Sequence, residues 1–393
     1  MMNVPLSTLQ GSFLREWHRM TSRRIYLVAA VALPLFLIFF MATIFGTGQM
    51  VDLPIGVVDG DNTSSSREII RGIAATPTFD VLHRYADDAA ARSALQRKEI
   101  YGYLHIPPHF EDNLLRGHGV TLSYYYHYAL LAVGGEVMSG FEQALLPVRM
   151  APIVLDAVAL GATQERVETF LLPMTSDDHA LYNPSLNYAT YLTVPIFYIM
   201  FQILVLLVTL YAIGSESKEG TGGEWLAMAH GNVWVAVLAK LLPYTLLFVA
   251  EMMLAGVVFF RFMAIPLLGN AWLLAFAAVL FVLATQALAL ILYSLFPVLS
   301  FVISVVSMVG SLGATLSGVT FPLMAMYPIV QYAAMLFPVR HFTVVMQQVV
   351  YSDGTGSSCT VALGVLILFP LLALALLPRL RHYLIVRRYD RLE

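Results

Sequence analysis

The chain has 393 residues, 59% of them hydrophobic and only 12% charged, with a formal net charge of −3. A soluble domain runs nearer half apolar and a quarter charged, so this composition excludes an ordinary soluble protein and indicates an integral membrane protein. The single cysteine, Cys359, excludes an internal disulfide, a cysteine-based metal centre and a dithiol redox pair.

In chain order, residues 1–24 come first. Leu6, Leu9, Phe13 and Trp17 recur near a helical spacing, with Arg15 and Arg19 elsewhere on the wheel. That pattern predicts an interfacial helix on the cytoplasmic membrane face; a disordered basic leader is the alternative. The first apolar run predicts a transmembrane helix over 25–46. Its core is longer than that of a signal peptide and no small-residue cleavage site follows, so it is read as retained.

Residues 47–185 read as a soluble α/β domain. LPIGVVDGD, TFDVLHRY, EIYGYLHIP and VTLSYYYHYA read as strands, and NTSSSREIIRGIA, DDAAARSALQR and PHFEDNLLRG as the helices between them. The stretch from about 130 to 170 reads as largely helical. Further spans are predicted over 186–212, 236–262, 271–295, 298–318 and 359–378. Between the last two, residues 319–350 are apolar but broken by Pro322, Pro328 and Pro338. Three prolines do not fit one straight span, so two short helices dipping into the outer leaflet are expected.

Lys and Arg concentrate on the cytoplasmic side of membrane proteins. Arg15, Arg19, Arg23 and Arg24 lie at one end, and Arg379, Arg381, Arg387, Arg388 and Arg391 at the other, which puts both termini in the cytoplasm. Segment 49–185 carries 9 Lys and Arg against 17 Asp and Glu and should face outward. The expected fold is an α-helical integral membrane protein with six transmembrane helices plus an extracytoplasmic α/β domain. Residues 186–380 supply five of the spans and 381–393 a cytoplasmic tail.

Chemistry-bearing motifs are sparse. There is no G-x-x-x-x-G-K-[ST] phosphate loop, no H-E-x-x-H and no G-x-S-x-G elbow. His105 and His109 are separated by two prolines and do not share a regular helix face. Asp59, Gly60 and Asp61 suit a metal or nucleotide, or simply a strand-to-helix turn. No catalytic residue, metal site or nucleic-acid partner is indicated. Within the spans stand Gln202, Gln286 and, near the middle of the third, Glu251. Glu251 is a candidate to bind substrate, to carry a proton, or to make a buried helix–helix hydrogen bond.

Four segments together resemble a known family. ESKEGTGGEWL places Gly220, Thr221, Glu224 and Leu226 on a charged loop motif after the second span. AKLLPY places Lys240, Pro243 and Tyr244 on the start of the third. SGVTFPLMAMYP and FPVRHF place Ser317, Gly318, Phe321, Pro322, Met326, Pro328, Pro338 and Phe342 on a signature before the last span. IGVVDGDNTSSSREII and YGYLHIPPHFEDNLLRG are similar to segments of an outer domain. The chain resembles the permease subunit of type-2 ABC exporters, in the subclass with a large extracytoplasmic domain between the first two spans. It departs from the pattern at Ser217, in one extra residue after Thr221, at Tyr327 and in YYYHYALLAVGG.

The resemblance implies a coupling helix at about 215–231 that seats in a separate cytoplasmic ABC ATPase, with Glu216, Lys218, Glu219, Gly220, Thr221, Glu224, Trp225 and Leu226 at the contact. Trp225 is either an anchor for that partner or a headgroup anchor. Gly318, Phe321, Pro322, Pro328 and Pro338 would form an outer gate. ATP and Mg would belong to the ATPase, with no cofactor in this chain. A second permease chain, identical or a paralogue, would complete the pathway in a bacterial inner membrane, and a periplasmic adaptor is a further implied partner. Two other classes stay open: a proton-coupled secondary transporter using Glu251, and a non-transporting membrane scaffold or receptor.

Overall fold

The computed structural model describes residues 6–44, 50–116, 118–159, 187, 189–352 and 357–386. It forms two compact units, Gln49–His179 and the remainder, Met1–Gly48 with Ala180–Glu393.

The smaller unit is a four-stranded sheet in the order β2-β1-β3-β4, built from β1 (Leu53–Asp59), β2 (Phe79–Tyr85), β3 (Gly102–Ile106) and β4 (Ser123–Tyr126). β1 is parallel to both β2 and β3, and β4 closes the edge antiparallel to β3. Every strand expected from the sequence is present. The chain steps from β1 to β2 in one direction and back past β1 to β3 in the other, so right-handed crossovers put the two connecting helices on opposite faces. Two separate cores agree with this. Ile69, Ile70 and Ile73 of α3 (Ser64–Ala74) pack with Phe79 and with Val137 and Phe141 of α6. Ala91 and Ala94 of α4 (Asp88–Gln96) pack with Val58, Ile100 and Tyr103. The helices start at their polar residues: Thr63 and Ser66 make a reciprocal capping box, and Asp87 accepts from the Ala90 N–H at 2.8 Å. A short α5 (Phe110–Leu115) and the long α6 (Leu131–Ala159) complete the unit. Residues 160–170 of the expected helical stretch lie outside the described residues.

The larger unit begins with α1 (Leu6–Ser22), a helix as expected. Its packed face is not the apolar one. Ser12, Glu16, Arg19 and Met20 are buried, whereas Leu14 is 62% and Trp17 45% exposed.

Six helices among the described residues are long and apolar enough to cross a membrane: α2 (Arg24–Ile44), α7 (Ala189–Lys218), α9 (Val233–Phe262), α10 (Ala271–Leu295), α11 (Leu299–Leu316) and α14, which spans Cys359–Ile385. Two of them outrun the sequence expectation. α7 continues past 212 to Lys218, its last-turn Glu216 being paired with Arg19 and Lys240. α14 continues past 378 despite Pro378 inside it. Pro378 cannot donate to the Leu374 carbonyl, and the Trp234 indole N–H occupies that oxygen instead, at 3.3 Å.

A short α8 (Gly222–Met228) connects α7 to α9. Before α14, α12 (Pro328–Ala334) and α13 (Pro338–Tyr351) meet at 89°, the two short helices expected over 319–350. Each starts with proline in its first turn, where no amide donor is needed.

Candidate functional site

The polar residues of the larger unit converge where α1, the end of α7, α8 and the start of α9 meet. Lys240 is buried inside α9, and a buried ammonium must find counterions. Its Nζ donates to Glu16 Oε2 of α1 at 2.7 Å and to Glu216 Oε1 of α7 at 2.8 Å. The Tyr244 hydroxyl, one turn along α9, donates to the other oxygen of Glu16 at 3.0 Å.

Glu216 also accepts from Arg19 at 2.5 Å, from Arg15 at 3.4 Å and from the Thr221 hydroxyl. Arg19 forks onward to Glu219 at 2.7 Å and to Ser215 Oγ at 3.2 Å, and Arg23 also binds Glu219. Hydrogen bonding from Arg23, aided by Arg19, holds the Glu219 carboxyl below its ordinary 4.5, against the opposing cost of partial burial.

α8 is seated on this cluster. Gly220 takes φ +68 in the turn that follows α7, a backbone that favours glycine. Trp225 lies buried at 2% exposure, its indole N–H donating to the Ala236 carbonyl at 3.3 Å and its ring beneath Lys240 Nζ at 5.2 Å from the centroid. Leu226 is buried beside it. The expected contact segment therefore divides in three. Glu216 and Lys218 belong to the last turn of α7, Glu219 to Thr221 form the turn, and α8 itself is shorter than 215–231. Neither surface role expected for Trp225 fits its position, because its side chain points into the protein. Gly223, Glu224, Ala227 and Met228 form the exposed face of α8, and Lys218 is exposed nearby.

Pairing of Lys240 with Glu16, and the enrolment of Arg15, Arg19, Arg23 and Tyr244, did not emerge from the sequence. A lysine inside an apolar span was the available signal.

At the broken-helix segment, Gly318 has φ +84 and lies against Arg340. Phe321 is exposed, Pro322 precedes a short 3-10 turn, and Pro328 and Pro338 open the two helices. Glu251 is 4% exposed, and neither carboxyl oxygen has a hydrogen-bond partner among the described residues. Gln286 accepts from Thr245 at 2.7 Å, and Gln202 accepts from the Val339 N–H at 2.8 Å.

The acidic turn of the smaller unit is structural. Asp59 accepts from the Asp61 and Asn62 amides and from Ser66, while Asp61 accepts from the Phe110 and Glu111 amides at the start of α5. His105 pairs with Asp88 at 3.0 Å, and His109 stands in a left-handed conformation before α5. No group of three or more potential metal ligands occurs among the described residues.

A family model described as ABC-2 family transporter protein matches residues 24–377. The match starts after α1, so Arg15, Glu16 and Arg19 lie outside it. No curated protein matches the chain.

Proposed function

The chain belongs to the ABC-2 transporter family, and from that premise we propose that it is the membrane-spanning permease subunit of an ATP-driven exporter. In this reading a separate cytoplasmic ABC ATPase hydrolyses ATP with Mg, and α8 is the coupling helix it moves. A second permease chain, identical or a paralogue, forms the other half of the pathway. The smaller unit is the extracytoplasmic domain that marks the subclass and offers a surface to a periplasmic adaptor. Both termini are cytoplasmic, in a bacterial inner membrane.

The observation that carries the reading is the buried ion cluster beneath α8. Lys240 and Glu216 tie the root of α8 to the ends of two spans; Glu16 ties Lys240 to α1, and Arg15 and Arg19 tie Glu216 to it. A buried ion pair is weak evidence of added stability, since apolar residues of similar volume often serve as well. Its value here is directional. A displacement of α8 is transmitted to α7 and α9 through short, charge-assisted bonds instead of being absorbed in a loop. Broken helices near Gly318, Phe321, Pro322, Pro328 and Pro338 act as the outer gate in the same reading.

The test is co-purification in mild detergent from native membranes, with ATPase activity assayed on the complex. Glu224 stands on the exposed face of α8, so Glu224→Arg should cut recovery of the ATPase at least tenfold while the permease still inserts and melts normally. Equal recovery would remove α8 as the contact. A clean complex with no ATPase would remove the exporter reading and favour Glu251 as a proton site, which its unpartnered carboxyl supports.

A further inference from the structure

The buried charges beneath α8, Glu16, Arg19, Glu216 and Lys240, are matched with opposite charges; Arg340 is not. Between Glu251 and Asp353 the sequence holds no acidic residue, and Arg261 and Arg340 are its only basic ones. Arg340 is partly buried, and no carboxylate pairs with it among the described residues. Its one side-chain hydrogen bond among the described residues goes from Nη1 to the Ser317 carbonyl at 3.2 Å. Its titratable neighbour His341 is engaged elsewhere, with Nε2 at 2.9 Å from the Met335 carbonyl. A guanidinium does not shed its proton, so this charge is permanent.

Its depth is fixed by two hydrogen bonds. Val339, beside Arg340, donates its amide to Gln202, about halfway along α7. At the other end of α13, the Tyr351 hydroxyl donates to the Thr190 carbonyl in the first turn of α7, at 2.5 Å. α13 thus begins near mid-depth of the spans and ends near their border. Arg340 is the third residue of that helix. A helix N-terminus carries partial positive charge, so a cation there is doubly unfavourable until an anion arrives. Half-helix N-termini at membrane mid-depth suit anionic groups for this reason. Gly318, at φ +84, packs its backbone against the guanidinium: a Cβ there would stand 3.1 Å from Arg340 Nη1. The segment beside it exposes Phe321, Met324, Tyr327, Ile329 and Tyr332, an apolar surface that does not replace the hydration shell of a free inorganic anion.

We infer that Arg340, at the start of α13, forms a site for the anionic head, phosphate or carboxylate, of an amphiphile whose apolar tail lies along the 321–332 segment. The assignment of that amphiphile as cargo rests on the exporter reading; the site itself does not.

The probe is tail-labelled phosphatidylglycerol, with tail-labelled phosphatidylcholine as the neutral-headed control, titrated into the purified full chain in an uncharged detergent. Wild type should prefer phosphatidylglycerol at least tenfold. Arg340→Gln should erase the preference and Arg261→Gln should keep it. Decyl phosphate should displace the probe, and inorganic phosphate at the same concentration should not. No preference in wild type, or an undiminished one in Arg340→Gln, overturns the site. Displacement by inorganic phosphate overturns the role of the tail. Should Arg340→Gln not fold, phenylglyoxal labelling of wild type decides: phosphatidylglycerol should slow modification of Arg340 at least fivefold, and equal rates overturn the site. None of these readouts uses ATP or a partner, so the exporter reading and this site fail separately. An isolated permease–ATPase complex whose hydrolysis ignores phosphatidylglycerol would overturn its assignment as cargo.

Discussion

Lys240 is the residue on which the α8 region turns. Truncating it leaves the buried Glu16 carboxylate with the neutral Tyr244 hydroxyl in place of a cation, and removing one partner of a buried pair typically costs about 3–5 kcal/mol. Lys240→Ala should therefore lower stability by about that amount in detergent unfolding. Lys240→Met combined with Glu16→Gln should recover most of the loss, because Glu216 keeps Arg19, Arg15 and Thr221. If the double variant is as unstable as Lys240→Ala, the charge imbalance is not the cause. Glu219 gives a pH signature. Its folded pKa lies below its ordinary 4.5, so its contribution is complete above about 4.5 and is lost as pH falls through the lower folded value. Melting measured from pH 6 to pH 3 should fall less steeply in Glu219→Gln than in wild type, and parallel curves would refute the linkage. At this scale the sequence was half legible. Motif spacing located Glu216, Gly220, Thr221 and Lys240. Glu16 stands more than 200 residues from Lys240 in the chain, and no local pattern encodes a pairing that only the packing of α1 against α9 creates.

Elements were read best where local chemistry decides them. Strands β1 to β4 and helices α3 and α4 were recovered because Thr63 and Asp87 announce their caps and the apolar residues keep period. Helix ends were missed where a distant partner overrides a local stop signal. Pro378 reads as an end, but Trp234 satisfies the carbonyl it frees. Charged Glu216 and Lys218 read as part of a separate coupling helix, but they close α7, where Arg19 and Lys240 pair with Glu216. The helix of α1 was read from its apolar spacing, but the burial of Glu16 and Arg19 on its packed face was not. A further element-level expectation concerns Gly269, whose amide donates to the Val349 carbonyl at 2.8 Å. A Cβ there would stand 2.8 Å from that same backbone oxygen, which cannot swing away as a side-chain tip can. Gly269→Ala should push back the end of α13 and cost about 1–3 kcal/mol by overpacking, read as a lower melting temperature. An unchanged melt would mean that the α9–α10 loop yields freely.

For the whole molecule, the division into two compact units has an energetic basis. Both cores of the smaller unit draw only on residues from Met50 to Val148. A piece comprising residues 49–179 should therefore fold without the spans, giving a soluble product with a cooperative circular-dichroism melt; a featureless melt would show that its cores need the rest of the chain. Membrane class and the order of the elements were legible because a bilayer demands long apolar helices and an α/β layer demands alternating strands and helices. The proposed Arg340 site was not, because Arg340 gains its meaning from depth and from having no carboxylate partner among the described residues, and both are properties of the folded chain.

α7 is a continuous helical rod of 30 residues, about 45 Å at the usual rise. Its last turn holds Glu216 in the ion cluster, and its middle holds Gln202 against the first turn of α13. One stiff body thus touches both ends of the problem. In the proposed complex with an ATPase, thermodynamic reciprocity applies: whatever factor an occupant of the Arg340 site imposes on nucleotide affinity through this rod, nucleotide must impose on the occupant.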